Sequence, residues 1–597
     1  NLVNQIIINI NESTIVKNLS PISSYQCTYK FAENNTIKSD LKLNSSATKV
    51  NIKFPISSSD SEGWLDWFQI TSWKNLIWNG VPMYVLNPEA SSFQTTAYTI
   101  NNANTTLTTW DVTQPLNISS VKNNTINNTL TFVDESFQKN NQYVVFNAAT
   151  ANAQPDFNGT VENQNLHMLD NLDFAIIYHA SLKDEALRLL KHRQQFSSLV
   201  GVAVDIDQIY NEFSSGTKDP TSVRDFARML YSRNTRFKYL TLFGSASYDY
   251  RYLNTKNKDL NLVPTYETPE SLDPIYGFPS DDYFGLLDNG EGENLNGKLD
   301  IAVGRIISRT IDEARIMVDK IIRYDTDPLT LGDWRLNNLF TADDEDGNTH
   351  FYDMDRIAIF NQEKNKNINQ QKVYLDAYEQ VSTPGGERYP EVTKAINDAI
   401  FQGNFVYAYM GHGGPTGLAQ ERVLQEPDIK VWDNIYKMPL MITATCTFTS
   451  FDDPSITSAG NLTLLNKGGV IGLFSTVRPV YADANYILTR DVFDQLYNIE
   501  NGKHLTMGEI LKRAKNKNGS SENTRKFMLF GDPSQTLAYP KLENEILSIN
   551  DKPLSQSPDT LRALQTVKIK GRVIQPGGNI VSDFNGILNA TIFDKEI

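Results

Sequence analysis

The 597 residues include two cysteines and six histidines, and one of each closes a short apolar run in the same way. His412 stands in YMGHGGPTG, residues 409–417, just after the alternating run NFVYAY; Cys446 stands in TATCTFTSFDDP, just after MPLMIT. A free thiol ionises only near pH 8.5, so attack on a carbonyl at neutral pH needs a base beside it. An imidazole can take the thiol proton and later hand it to a leaving amine. Gly413, with no side chain, lets its backbone N–H approach a substrate carbonyl, and the Cys446 N–H would be the second donor to the developing oxyanion. Taken singly, a histidine is more often a satisfied core or loop residue and a cysteine a small buried hydrophobe. The paired placement at strand ends is what turns both toward nucleophilic catalysis. His350, also just beyond a strand-end loop, is the rival base.

Such residues need a sheet whose strands end together. From residue 172 the texture is alternating: LDFAIIYHA reads as a strand, KDEALRLLKHRQQFSSL as a helix, GVAVDID as a strand, DPTSVRDFARMLYSRN as a helix with an Asp-Pro entry, and YLTLFGSASYDY as a strand. After an interruption between 250 and 300 the pattern returns in LNNLFTADDEDG, QKVYLDAY, NFVYAYMGHGG, MPLMITATC and KGGVIGLFSTV, with helical stretches YPEVTKAINDAIF and ANYILTRDVFDQLYN. Strands alternating with helices predict a mostly parallel sheet buried on both faces, with reactive loops at the strand ends. We expect a multidomain chain: an all-β domain over residues 1–165, α/β subdomain A over 166–330, catalytic α/β subdomain B over 331–540, and the start of an immunoglobulin-like β-sandwich over 541–597. The two α/β parts are either two sheets or halves of one. The last 57 residues read as an incomplete sandwich whose remaining strands lie beyond Ile597, and a first residue of Asn rather than Met reads as a processed or trimmed start. Trp64, Trp67, Trp73 and Trp78 crowd the β-rich start, where they would fill a core or an interface, or form a platform for carbohydrate or peptide.

Composition removes several classes. With 55 Lys and Arg against 70 Asp and Glu, the net charge of −15 opposes binding to phosphate backbones, so nucleic acid is not a partner. No run of 18 apolar residues would span a bilayer. Two cysteines exclude a disulfide framework and a multi-cysteine zinc site; Cys27 and Cys446 are either one disulfide or a functional thiol and a bystander. There is no Walker A segment, no HExxH, no G-x-S-x-G elbow, and GHGGPTG lacks the dinucleotide spacing. No cofactor is required by this chemistry. Two acidic loops, TADDEDGNTH (341–350) and DDYFGLLDNGEGENLNGKLD (281–300), cluster carboxylates with Asn and Gly as calcium loops do, with Asp343, Asp344, Asp346 and Asp288 as the candidate ligands. Neither has EF-hand spacing, and a solvated polar loop is the other reading. Asp343 and Asp344 also follow a strand end, within reach of substrate or the histidine loop.

The order strand-His-Gly then strand-Cys, together with GRIISRTIDEARIMVDKIIRYD and the closing KFMLFGDPSQTL, resembles the gingipain-like family of caspase-like cysteine peptidases, over roughly residues 170 to 540. GWLDWFQI, TTWDVTQP and MGHGGPTGLAQERVL extend the resemblance to the surface sortases of the type IX secretion system. The resemblance implies Cys446 as nucleophile, His412 as general acid and base, Gly413 in the oxyanion site, and Asp300, in KLDIAVGR, as the acidic group that orients the histidine. A salt bridge to Arg305 is the alternative role for Asp300. It further implies an enzyme on the outer face of the bacterial outer membrane, held there by a barrel partner, PorV. That enzyme would cleave the C-terminal signal domain from secreted cargo and pass the cargo to an amine of lipopolysaccharide. A hydrolytic gingipain-type protease and a catalytically silent cargo-binding scaffold are the alternatives.

Overall fold

A computed structural model describes residues 4–22, 30–42, 48–56, 61–150, 156–157, 159–254, 260–554, 561–562, 564–575 and 578–587. The chain divides into two compact units, one made of residues 1–53 and 164–597, the other of 54–163. Where the sequence suggests one β domain over 1–165, the strands Asn4–Ile10, Ser13–Leu19 and Val50–Lys53 therefore group with the α/β part.

The larger unit is organised by ten strands, numbered here in chain order: β1 (Phe174–Tyr178), β2 (Gly201–Asp205), β3 (Tyr239–Phe243), β4 (Ala302–Ile306), β5 (Asn337–Ala342), β6 (Asn369–Tyr374), β7 (Val406–Met410), β8 (Leu440–Ala444), β9 (Gly472–Thr476) and β10 (Phe527–Phe530). They form one sheet in the order β2-β1-β3-β4-β10-β9-β8-β7-β5-β6. The two α/β halves are thus halves of one sheet. Every neighbouring pair is parallel except β9 and β10, which run antiparallel, so the strands of the second half point opposite to those of the first. β4 meets β10 through a single pairing, Arg305 with Phe530.

Burial on both faces explains why these strands read as apolar runs rather than as alternation. In β1, Phe174, Ile176 and Tyr178 join a core that continues through β7, β8 and β9, while Ala175 and Ile177 join a second core with Val204, Phe226 and Leu240. All five residues of β7 are buried, and each large side chain there contributes about 1.5–3 kcal/mol. The helices start where their caps require. The Asp219 carboxylate accepts from the Thr221 N–H with Pro220 at the first turn, and the Thr310 hydroxyl accepts from the Glu313 N–H at the head of Ile311–Thr326.

In the smaller unit a four-stranded and a three-stranded antiparallel sheet enclose Met83, Tyr98, Ile100, Leu130, Phe132, Tyr143 and Val145, with Tyr98 stacked on Phe132 at 4.9 Å. Of the four clustered tryptophans only Trp78 enters this core. Trp64, Trp67 and Trp73 are 76%, 61% and 70% exposed, because residues 61–76 form no strand or helix that could direct them inward. After residue 540 the described residues carry one small antiparallel sheet, Lys552–Pro553, Glu543–Ile549 and Ile569–Ile574. Most of the last strand read from the sequence, in 586–597, lies outside the described residues, as does Cys27.

Candidate active site

β7 and β8 are parallel neighbours whose last paired residues are Met410 and Ala444. His412 and Cys446 each come two residues later, so matched strand ends deliver both to the same edge of the sheet. The two loops touch there: the Gly411 N–H donates to the Ala444 carbonyl at 3.4 Å, and a Cβ built on Gly413 would lie 2.6 Å from Thr445 Oγ1. Only glycine fits at 413, and it fits for lack of space rather than for an unusual φ. His412 O accepts from the Ala419 N–H at 2.9 Å, which marks the adjoining Gly413–Leu418 pair as the non-hydrogen-bonded kind. The Gly413 N–H is therefore turned away from its own hairpin.

The histidine is held from several sides. Its N–H donates to Asp343 Oδ2 at 2.7 Å, its carbonyl also accepts from the Tyr409 hydroxyl at 2.6 Å, and its Nε2 lies 2.5 Å from Asp346 Oδ2. Asp343 is the first residue after β5, the next strand in the sheet, and Gly411 is needed beside it because a Cβ there would come 2.3 Å from the Asp343 Cβ. A carboxylate on Nε2 selects the tautomer with the proton on Nε2 and leaves the lone pair on Nδ1. Asp346 reaches this position from a backbone in which Glu345, Asp346, Gly347 and Asn348 all have positive φ. For non-glycine residues that region costs about 1 kcal/mol each.

The Cys446 loop is pinned to β9. Thr449 N–H donates to the Thr476 carbonyl at 3.1 Å, the Thr476 hydroxyl donates to the Thr445 carbonyl, and Thr443 and Thr449 both donate to Ser475 Oγ at 2.8 Å. Cys446 is half-buried with Sγ 3.7 Å from the Val480 carbonyl. The preceding carbonyl, of Pro479, accepts from Lys526 Nζ at 2.8 Å. Burial pulls the Lys526 ammonium down to about 8, opposed by the charges of Glu522 and Cys446. Beside the histidine a cavity of about 330 Å³ opens between His412, Gly413, Gly417, Gln420 and Arg422.

The profile of peptidase family C25 matches residues 167–538, well over half of the chain. The chain belongs to peptidase family C25. It is thus a member of a family of cysteine peptidases. No curated protein matches it. Among solved structures it is similar in fold to dimeric latent PorU from Porphyromonas gingivalis, with a TM-score of 0.61, 22% identity, and 98% of this chain covered. The chain spans about half of that structure, 51%. The Arg-specific cysteine proteinase gingipain R also matches, with a TM-score of 0.49 and 16% identity, over 65% of this chain and 83% of the other.

Within this C25 fold the structure brings His412, Gly413 and Cys446 together and separates Asp300 from them. Asp300 precedes β4, and β10, β9 and β8 stand between β4 and β7, a lateral distance of roughly 19 Å at ~4.8 Å per strand. Its oxygens are also occupied: Oδ1 accepts from the Tyr231 hydroxyl at 3.2 Å and Oδ2 from the Leu287 and Asp288 N–H groups at 2.8 and 3.2 Å. The salt bridge to Arg305 is absent too, since Arg305 takes Asp281 instead. The group on the imidazole is Asp346, which the sequence reading counted only among calcium ligands; its spacing of four before His350 at a helix head was the available signal.

His350 is buried in helix Thr349–Lys364, its ring edge-on to His412 at 5.3 Å and its Nε2 3.5 Å from the same Asp346 Oδ2. Burial, and then the His412 charge, push it below the usual histidine range. Unlike His412 it does not follow a strand adjoining β8. Among the described residues, acidic groups that could gather round a metal are Asp343, Asp344 and Glu421; Asp346 with His350 and His412; Asp288, Glu291 and Asp300; and Glu345, Glu387 and Glu421.

Proposed function

We propose that the chain is a cysteine endopeptidase in which Cys446 attacks, His412 carries the proton and Asp346 orients the imidazole. The supporting observation is the equal offset of His412 and Cys446 from the Met410–Ala444 pair, with Asp346 on the far nitrogen of the ring. His412 Nδ1 takes the thiol proton and the thiolate adds to the scissile carbonyl carbon. The oxyanion then faces the Gly413 and Cys446 N–H groups. Collapse breaks the C–N bond as Nδ1–H protonates the departing amine, leaving a thioester. Water or a second amine adds next, gives its proton to His412, and expels the sulfur.

The finer reading follows the sequence resemblance and the PorU-like fold. The substrate is secreted cargo with a C-terminal signal domain, the acceptor an amine such as that of lipopolysaccharide, and the location the cell surface, with an outer-membrane barrel partner such as PorV. No helix among the described residues is long and apolar enough to cross a membrane. Transfer wins over hydrolysis when the thioester is shielded from water.

The test is cleavage of cargo by the protein and by Cys446→Ala. Loss of cleavage in the variant is expected; intact cleavage sinks the mechanism. Alkylation of Cys446 against pH in His412→Ala and His350→Ala identifies the base, since only loss of the true partner removes thiolate reactivity at neutral pH. Products formed with and without an added amine separate transfer from hydrolysis.

A further inference from the structure

Beside the histidine loop, but on the side of β5, the carboxylates of Asp343, Asp344 and Glu421 converge, each offering an oxygen within 4.8 Å of the others. They are 2%, 7% and 4% exposed. Two of the aspartate oxygens have donors: Asp343 Oδ2 takes the His412 N–H and Asp344 Oδ2 the Tyr389 hydroxyl, both at 2.7 Å. Asp343 Oδ1 and Asp344 Oδ1 are buried without a hydrogen-bond partner among the described residues. Nor does any lysine or arginine among them form a salt bridge with one of the three carboxylates.

Three adjacent carboxylates cannot all stay ionised out of water unless a cation joins them. We propose that Asp343, Asp344 and Glu421 form a binding site for a divalent hard cation of the Ca²⁺ class. The donors are oxygen only, as such ions demand, and two of the oxygens have no other use in the fold. Waters and backbone carbonyls complete the larger shell that Ca²⁺ takes. The ion ties the end of β5, which carries Asp343 and Asp344, to the loop after His412, which carries Glu421. Because Asp343 also holds the His412 N–H, the cation braces the loop that presents the imidazole.

The experiment uses the full chain carrying Cys446→Ala, so that binding is read without catalysis, stripped with a chelator and titrated with CaCl₂ by calorimetry and by thermal melting. One site is expected, with the melting temperature rising as Ca²⁺ is added. Adding Asp344→Asn should weaken binding at least tenfold, roughly the loss expected when a metal site loses a supporting group. Adding Glu387→Gln, in the exposed Glu345–Glu387–Glu421 group, should leave it unchanged. The proposal is overturned if the unsubstituted pocket gives neither heat nor a melting shift at millimolar Ca²⁺, which would mean that protons hold the cluster together. Wild-type affinity in Asp344→Asn, or loss confined to Glu387→Gln, overturns it equally.

Discussion

Two Asp-Asp doublets, each directly after a strand, are nearly indistinguishable in sequence: Asp281-Asp282 in PSDDYFG and Asp343-Asp344 in TADDEDG. Both sit in loops that read alike as calcium candidates, yet the fold treats them in opposite ways. Asp281 receives Arg305 through two bonds of 2.7 Å, and the other Arg305 protons go to the carbonyls of Gly244, Val263 and Pro264. Asp282 takes both Lys515 and Arg525. Asp343 and Asp344 are buried as deeply and meet no such cations. The first doublet closes the seam between the two halves of the sheet and has no charge left to offer. The second, next to the histidine, forms no salt bridge with a lysine or arginine among the described residues. Burial of acids thus marks a site only when the counter-charges are counted.

The largest effect should come from the paired doublet. Arg305→Met leaves the Asp281 carboxylate buried without its cation, with the Thr265 hydroxyl still on Oδ1, and should cost about 3–5 kcal/mol of unfolding free energy, read from denaturant midpoints. A loss below about 1 kcal/mol, the range of exposed pairs, would erase the contrast. Next comes the histidine's own carboxylate. Asp346→Asn should lower kcat roughly 100-fold or more, the range of a displaced general base, with KM little changed. It should also raise the pH at which Cys446 alkylates. Asp300→Asn, by contrast, should leave that pH profile in place.

A smaller and sign-reversing effect is expected at the unpaired doublet. In chelator, Asp344→Asn relieves repulsion and should raise stability by about 1 kcal/mol, whereas Asp282→Asn should lower it. The smallest concerns Lys526. Its ammonium near the sulfur favours the thiolate, so Lys526→Met should raise the apparent thiol pKa by about half a unit to one unit. In the fold this lysine loses its proton near pH 8, against 10.5 for its ordinary value, so the unfolded chain binds the proton more tightly between those limits. Wild-type stability should therefore gain as pH rises from about 8 toward 10.5, a gain that Lys526→Met lacks.

Much of this was legible without coordinates where function coincides with strand ends. His412, Gly413 and Cys446 follow apolar runs, and parallel strands end such runs at one edge of the sheet; that β7 and β8 are neighbours there is given by the strand order. The α/β alternation was legible because burial on both faces forces it. Asp300 misled because its sequence context says nothing about lateral position, and three strands stand between β4 and β7. Asp346 was read only as a metal ligand because the turn that aims it at the imidazole depends on a run of left-handed residues, visible only as φ angles. Of the readings of the tryptophan cluster, the core applies to Trp78: aromatic density fills a core only where a regular element directs the side chains inward, and residues 61–76 form none.

The residue types able to act as nucleophile and base at strand ends, and the alternation that builds a parallel sheet, could be read from the sequence alone, since each depends on near neighbours in the chain. Which half runs against the other, which carboxylate reaches the imidazole, and which acidic pair meets counter-charges were decided only in three dimensions. Those outcomes depend on groups far apart in sequence, such as Asp281 with Arg305 or Asp346 with His412, and electrostatic energy follows distance in space and the dielectric between the groups rather than separation along the chain.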